Sequence, residues 1–96
     1  MMDSNTFKLI EGVFNARDAQ LLVLNFYNEK IMYHNRELLA LRIKNIENTT
    51  HVEAKLESLQ SEKDRFIAYL QTFKDDQTLF ELKSSIQINP ADSSTL

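Results

Sequence analysis

The sequence predicts a mainly α-helical fold: an antiparallel two-helix hairpin flanked by a short β-strand at each end. Three observations lead there. Residues 16–46 and 51–75 contain no Gly or Pro and carry apolar residues at steps of three and four. A short polar stretch, Glu47-Asn48-Thr49, joins them, and so short a connection makes the two helices antiparallel neighbours. Near the end of the chain, Leu82, Ser84, Ile86 and Ile88 alternate with Glu81, Lys83, Ser85 and Gln87, the period of a strand.

Taken in order, residues 6–14 (TFKLIEGVF) are rich in apolar, β-branched and aromatic side chains and read as the first strand. Asn15 suits an N-cap, and Asp18 suits the positive end of the helix dipole. Residues 16–46 form a rod of roughly 45 Å. Thr50-His51-Val52-Glu53 has the spacing of a capping box at the start of the second helix. The last strand spans residues 81–88. Residues 89–96 read as a polar, flexible tail, leaving one domain with an ordered core over 6–88. If the strands meet, the hairpin makes them antiparallel. A lone ribbon is marginal in water, so it must pack on the helices or join one from another subunit.

A helical wheel separates the two helices. On the second, Val52, Leu56, Leu59, Phe66, Leu70 and Phe73 form one stripe, interrupted by Lys63, as one neighbour requires. On the first, Leu24, Ile31 and Leu38 centre a stripe, with Leu21, Met32, Leu39, Ile43 and Ile46 on one side and Val23, Tyr27 and Leu41 on the other. Leu22, Phe26, Tyr33 and Ala40 lie on the opposite face. The second helix is too narrow to cover all of this. Each large apolar side chain left in water forgoes about 1.5–3 kcal/mol. Leu22, Phe26, Tyr33 and Ala40 are therefore the expected oligomer interface, in a homodimer whose first helices meet as a four-helix bundle.

Composition narrows the function classes. With no Cys, disulfide frameworks and thiolate zinc sites are excluded. Asn48-Thr49-Thr50 matches a glycosylation triplet, but Met1-Met2-Asp3-Ser4-Asn5 opens no signal peptide. The expected compartment is the cytoplasm. No apolar run is long enough to span a membrane, and a net charge of −3 argues against a general nucleic-acid binder.

The chemistry-bearing residues are few. His34 flanks the first stripe and reads as a half-buried histidine bonded to a neighbour, with a ligand or proton-carrying role as the sharper alternative. His51 lies at the hairpin tip, roughly 18 Å away, so the two cannot share a metal within one chain. Asn25, Asn28 and Asn35 sit on an otherwise apolar helix, and buried Asn commonly fixes helix register. Asn28, His34 and Asn35 are accordingly candidate ligand or register-setting positions. Glu29 and Glu37 lack the Glu-x-x-His spacing of a di-iron bundle. Arg36, Arg42, Lys44, Lys55, Lys63 and Arg65 are interleaved with acids, as on a solvated face. Ser94-Thr95-Leu96 fits a loose carboxylate-capture pattern that chance produces often.

The order strand, helix, helix, strand resembles that of small bacterial proteins of unknown function carrying a helical hairpin and a minor two-stranded sheet. The points of likeness are Glu11-Gly12-Val13-Phe14, His34-Asn35 and Leu82-Lys83-Ser84-Ser85. The hairpin loop is shorter here. That resemblance implies a fold and a dimer, and no activity. The expectation is a homo-oligomeric structural or protein-interaction module, not an enzyme, without cofactor or metal, possessing a protein partner besides itself. The alternative is a small-molecule-binding or regulatory module with a pocket near Tyr33, His34 and Asn35.

Overall fold

The computed structural model describes residues 5–91, in the order β1 (Thr6–Asn15), α1 (Ala16–Ile43), α2 (Thr50–Gln71) and β2 (Leu79–Gln87). The helical hairpin and the antiparallel strands are as the sequence implies. The tail assigned to 89–96 falls mostly outside the described residues. At its start, the Ile88 amide donates to the Asn5 carbonyl at 2.9 Å and Asn5 Nδ2 donates to Asn89 Oδ1.

Asn15 ends the strand and caps the helix, its Oδ1 accepting from the Asp18 amide at 2.8 Å. α1 stops at Ile43, earlier than the periodicity suggests. Asn45 adopts a left-handed backbone with φ of 59°. Its amide donates to the Arg42 carbonyl, and the Ile46 amide donates to the Leu41 carbonyl, both at 3.0 Å. This is a Schellman closure, with Asn standing where Gly is commonest.

The expected capping box does not form. Thr49, not Thr50, is the N-cap of α2, and its side chain makes no capping bond. Asn48 Oδ1 accepts from the Thr50 amide at 3.3 Å, while Glu53 turns to Arg42 across the hairpin at 3.4 Å. α2 ends at Gln71, short of residue 75, where Thr72 Oγ1 donates to the Tyr69 carbonyl at 2.7 Å. Asp75 then turns the chain, accepting from the Gln77 amide at its side chain and from the Thr78 amide at its carbonyl. This brings β2 in at Leu79, two residues before the expected start.

The strands pair antiparallel from Thr6↔Gln87 to Asn15↔Leu79, with a bulge that leaves Leu9 without a partner. Alternation places Ile10, Gly12 and Phe14 on one face with Phe80, Leu82 and Ser84. The bulge adds one residue, so Phe7, paired with Ile86, falls on that same face. The other face carries Lys8, Glu11, Val13, Glu81 and Lys83, with Lys8 and Glu11 bridged at 2.7 Å. On the apolar face the Phe14 ring lies over Gly12, where a Cβ would meet it at 3.2 Å.

The molecule measures 51 × 37 × 15 Å. Laid end to end, α1 and the ribbon would reach roughly 75 Å, so the ribbon stands off the hairpin at a steep angle. It meets the helices at its base, where Phe80 stacks edge-on against Phe73 and Phe73 against Tyr69, at 5.1 and 5.2 Å. The radius of gyration is 17.2 Å, against about 12 Å for a compact domain of this length. Such a thin shape has little interior. Among the described apolar residues only Ala19, Leu38 and Val52 are buried.

Candidate functional surface

The seam between the helices follows the stripes. Leu24, Tyr27, Ile31, His34, Leu38 and Leu41 are buried or half-buried on α1, as are Val52, Leu56, Leu59, Lys63, Phe66 and Leu70 on α2. Tyr27 and Phe66 meet with ring centroids 6.4 Å apart. Lys63, the break in the α2 stripe, donates to Asn28 Oδ1 at 2.8 Å, so its charge stays at the rim of the seam while its stem packs inside.

His34 is turned into this seam with its side chain 16% exposed, and its Nδ1 lies 2.9 Å from Glu37 Oε1. The Tyr33 ring meets it edge-on at 5.2 Å. The His34 bond holds the Glu37 carboxyl below its usual range, with smaller help from Lys55 and His51 on α2, against partial desolvation that acts the other way. Tyr33, His34 and Asn35 are consecutive on a helix and fan out by about 100° each. Tyr33 and Asn35 are exposed on different sides, and the three do not converge on a common cavity. Among the described residues no three His, Asp or Glu side chains gather at metal-binding distance.

Part of what α1 presents outward is apolar. Of the four expected interface residues, Leu22 is half-buried near the ribbon, while Phe26, Tyr33 and Ala40 are exposed, Phe26 at 42% and Tyr33 at 66%. Two shallow concavities run along this flank. One is lined by Phe14, Asp18, Leu21 and Leu22, and the next by Leu22, Asn25, Phe26 and Glu29. Leu22 belongs to both, so the apolar track is continuous from the ribbon base onto α1.

The wheel assigned a second group of residues to the margin of the seam, and the structure corrects that. Leu21, Met32, Leu39, Ile43 and Ile46 are 44–71% exposed. α2 covers only the side holding Val23, Tyr27 and Leu41, because antiparallel helices meet along a narrow line. The signal was present in the sequence: this group recurs in line with Asn25, Asn28 and Asn35, which a fully buried stripe would not carry. Asp18, Glu29 and Arg36 form a charged ridge between the two flanks.

No family model, characterised protein or solved structure matches this chain. The strand–helix–helix–strand order stands on the coordinates alone, and the resemblance to small bacterial proteins gains no support beyond that layout.

Proposed function

We propose that this chain is a homo-oligomeric structural or protein-interaction module, a homodimer in which the Leu22, Phe26, Tyr33 and Ala40 flanks of two α1 helices meet to form a four-helix bundle. One observation carries the reading: a plate about one element thick that leaves large apolar side chains bare along its longest helix. The chain exposes 8032 Å², where a folded monomer of its mass exposes about 5,700 Å². The excess follows from the flat shape, which leaves its large apolar side chains without cover.

The choice of flank follows from polarity. Covering the Leu21, Met32 and Leu39 flank would desolvate Asn35, whose amide then needs a partner, and would crowd the Asn28–Lys63 bond. The Leu22 flank has Asp18, Asn25 and Glu29 at its margin, where they can stay in water. Asn28 is then a register-setting residue through its bond to Lys63, and His34 a packing residue oriented by Glu37. The reading includes no enzymatic role. Sedimentation equilibrium tests the proposal. A species of twice 11.2 kDa is expected at micromolar concentration, and the single-chain mass up to millimolar concentration would overturn it.

A further inference from the structure

We infer that the apolar face of the β1–β2 ribbon is the second half of the same interface, covered by the second copy of this chain. The inference rests on the homodimer just proposed and extends it to a surface that a four-helix contact alone does not include.

The α1 flank alone is a small contact for a dimer. Aromatic side chains present about 150–250 Å² each, so Phe26 and Tyr33 at their 42% and 66% exposures, with Leu22 and Ala40, offer about 350 Å². A stable interface of ordinary size needs about 800 Å² per partner. The ribbon supplies a comparable amount in Phe7, Ile86 and Ile88, which are 45–55% exposed. The two patches join through Phe14 and Leu22.

The ribbon is also built two-sided. Its far face pairs Glu11 with Lys83 and bridges Lys8 to Glu11, charges that suit water, with Val13 and Leu79 exposed among them. The near face carries Phe7, Ile10, Phe14, Phe80, Leu82 and Ile86. Without the bulge at Leu9, strict alternation would put Phe7 among the charges. The extra residue keeps it with Ile86 instead. The rest of the chain covers this face at its base, where Phe73 meets Phe80 and α1 meets Phe14, and leaves Phe7 and Ile86 exposed. A two-stranded ribbon with a bare apolar half is marginal in isolation, and the copy already seated on the adjoining flank is the occupant within reach.

The chain has no Cys, so single introduced thiols report cleanly. Ile86→Cys and, on the opposite face, Val13→Cys would be labelled with a maleimide across a range of protein concentrations, alongside sedimentation of the wild type and both variants. The expected result is labelling of Ile86→Cys slowed at least tenfold as the dimer forms, with Val13→Cys unchanged. If Ile86→Cys keeps its helical circular dichroism but fails to dimerise where wild type does, that also supports the ribbon contact. Labelling independent of concentration in a protein that does dimerise overturns this inference and leaves the α1 interface standing. A wild type that never dimerises overturns both.

Discussion

Phe26 and Met32 provide a matched comparison for the proposed interface, because they lie on different flanks of α1 with nearly equal exposure, 42% and 44%. A phenylalanine side chain presents about 200 Å², so the second copy would remove about 85 Å² of Phe26 from water. At about 25 cal/mol per Å² this is about 2 kcal/mol per copy. Ordering the side chain returns about 0.5–1 kcal/mol. A two-fold contact counts the remainder twice, giving about 2–3 kcal/mol per dimer, or about 100-fold in the dimer Kd. Phe26→Ser should therefore weaken self-association by about that factor, while Met32→Ser changes it less than threefold. Sedimentation equilibrium measures both constants, and far-ultraviolet circular dichroism confirms that the helices persist. A Phe26→Ser constant within twofold of wild type would refute the choice of flank. Equal weakening by both substitutions would mean that the helices meet across the Asp18, Glu29 and Arg36 ridge.

Val52 is fully buried at the hairpin tip. Val52→Ala should cost about 2 kcal/mol, from two lost methyl groups and the space they leave, read as a lower urea midpoint. Asn45→Ala places an ordinary Cβ at φ of 59° and should cost about 1 kcal/mol in the same titration, whereas Asn45→Gly should cost nothing. The His34 bond depresses the Glu37 carboxyl in the folded chain. Its contribution is thus present above the unfolded pKa of about 4.3 and is lost as pH falls through the lower folded value. Wild type and Glu37→Gln should accordingly differ in urea midpoint near neutrality and converge towards pH 3. A gap that persists or grows in acid would contradict the assignment.

The seam was legible because it is periodic: Leu24, Ile31 and Leu38 on one helix and Val52, Leu56, Leu59, Phe66 and Leu70 on the other are fixed by steps of three and four. The Asn15 cap was legible for a similar reason, being a short polar side chain at an abrupt change from period two to period 3.6. The helix ends were less so. Asn45 closes α1 through backbone bonds to Arg42 and Leu41, and any residue tolerating a left-handed turn could have done this two or three positions either way. Thr50 and Glu53 match the capping-box pattern, but Asn48 offered the Thr50 amide a nearer acceptor and Arg42 drew Glu53 away. The bulge at Leu9 is a property of the pairing of two strands about seventy residues apart, so no pattern within either strand announces it. The wheel located the Leu22 flank, yet gave the seam too much width, and Leu21, Met32 and Leu39 proved exposed for that reason.

Several reactive side chains are held in structural contacts. His34 is oriented by Glu37 inside the seam, Lys63 is tied to Asn28 at its rim, and Glu53 is drawn to Arg42 at the tip. Apolar surface remains uncovered, divided by the Asp18, Glu29 and Arg36 ridge into two flanks of different character. A dimer that buries the Leu22 flank and the ribbon leaves the asparagine-bearing flank facing outward on both copies, related by the two-fold axis. Two such surfaces on one assembly can engage a repeating or paired target with far greater avidity than either alone. The proposed self-association would thus account for one flank by stability, and would arrange the other for interaction in a way that a single copy cannot.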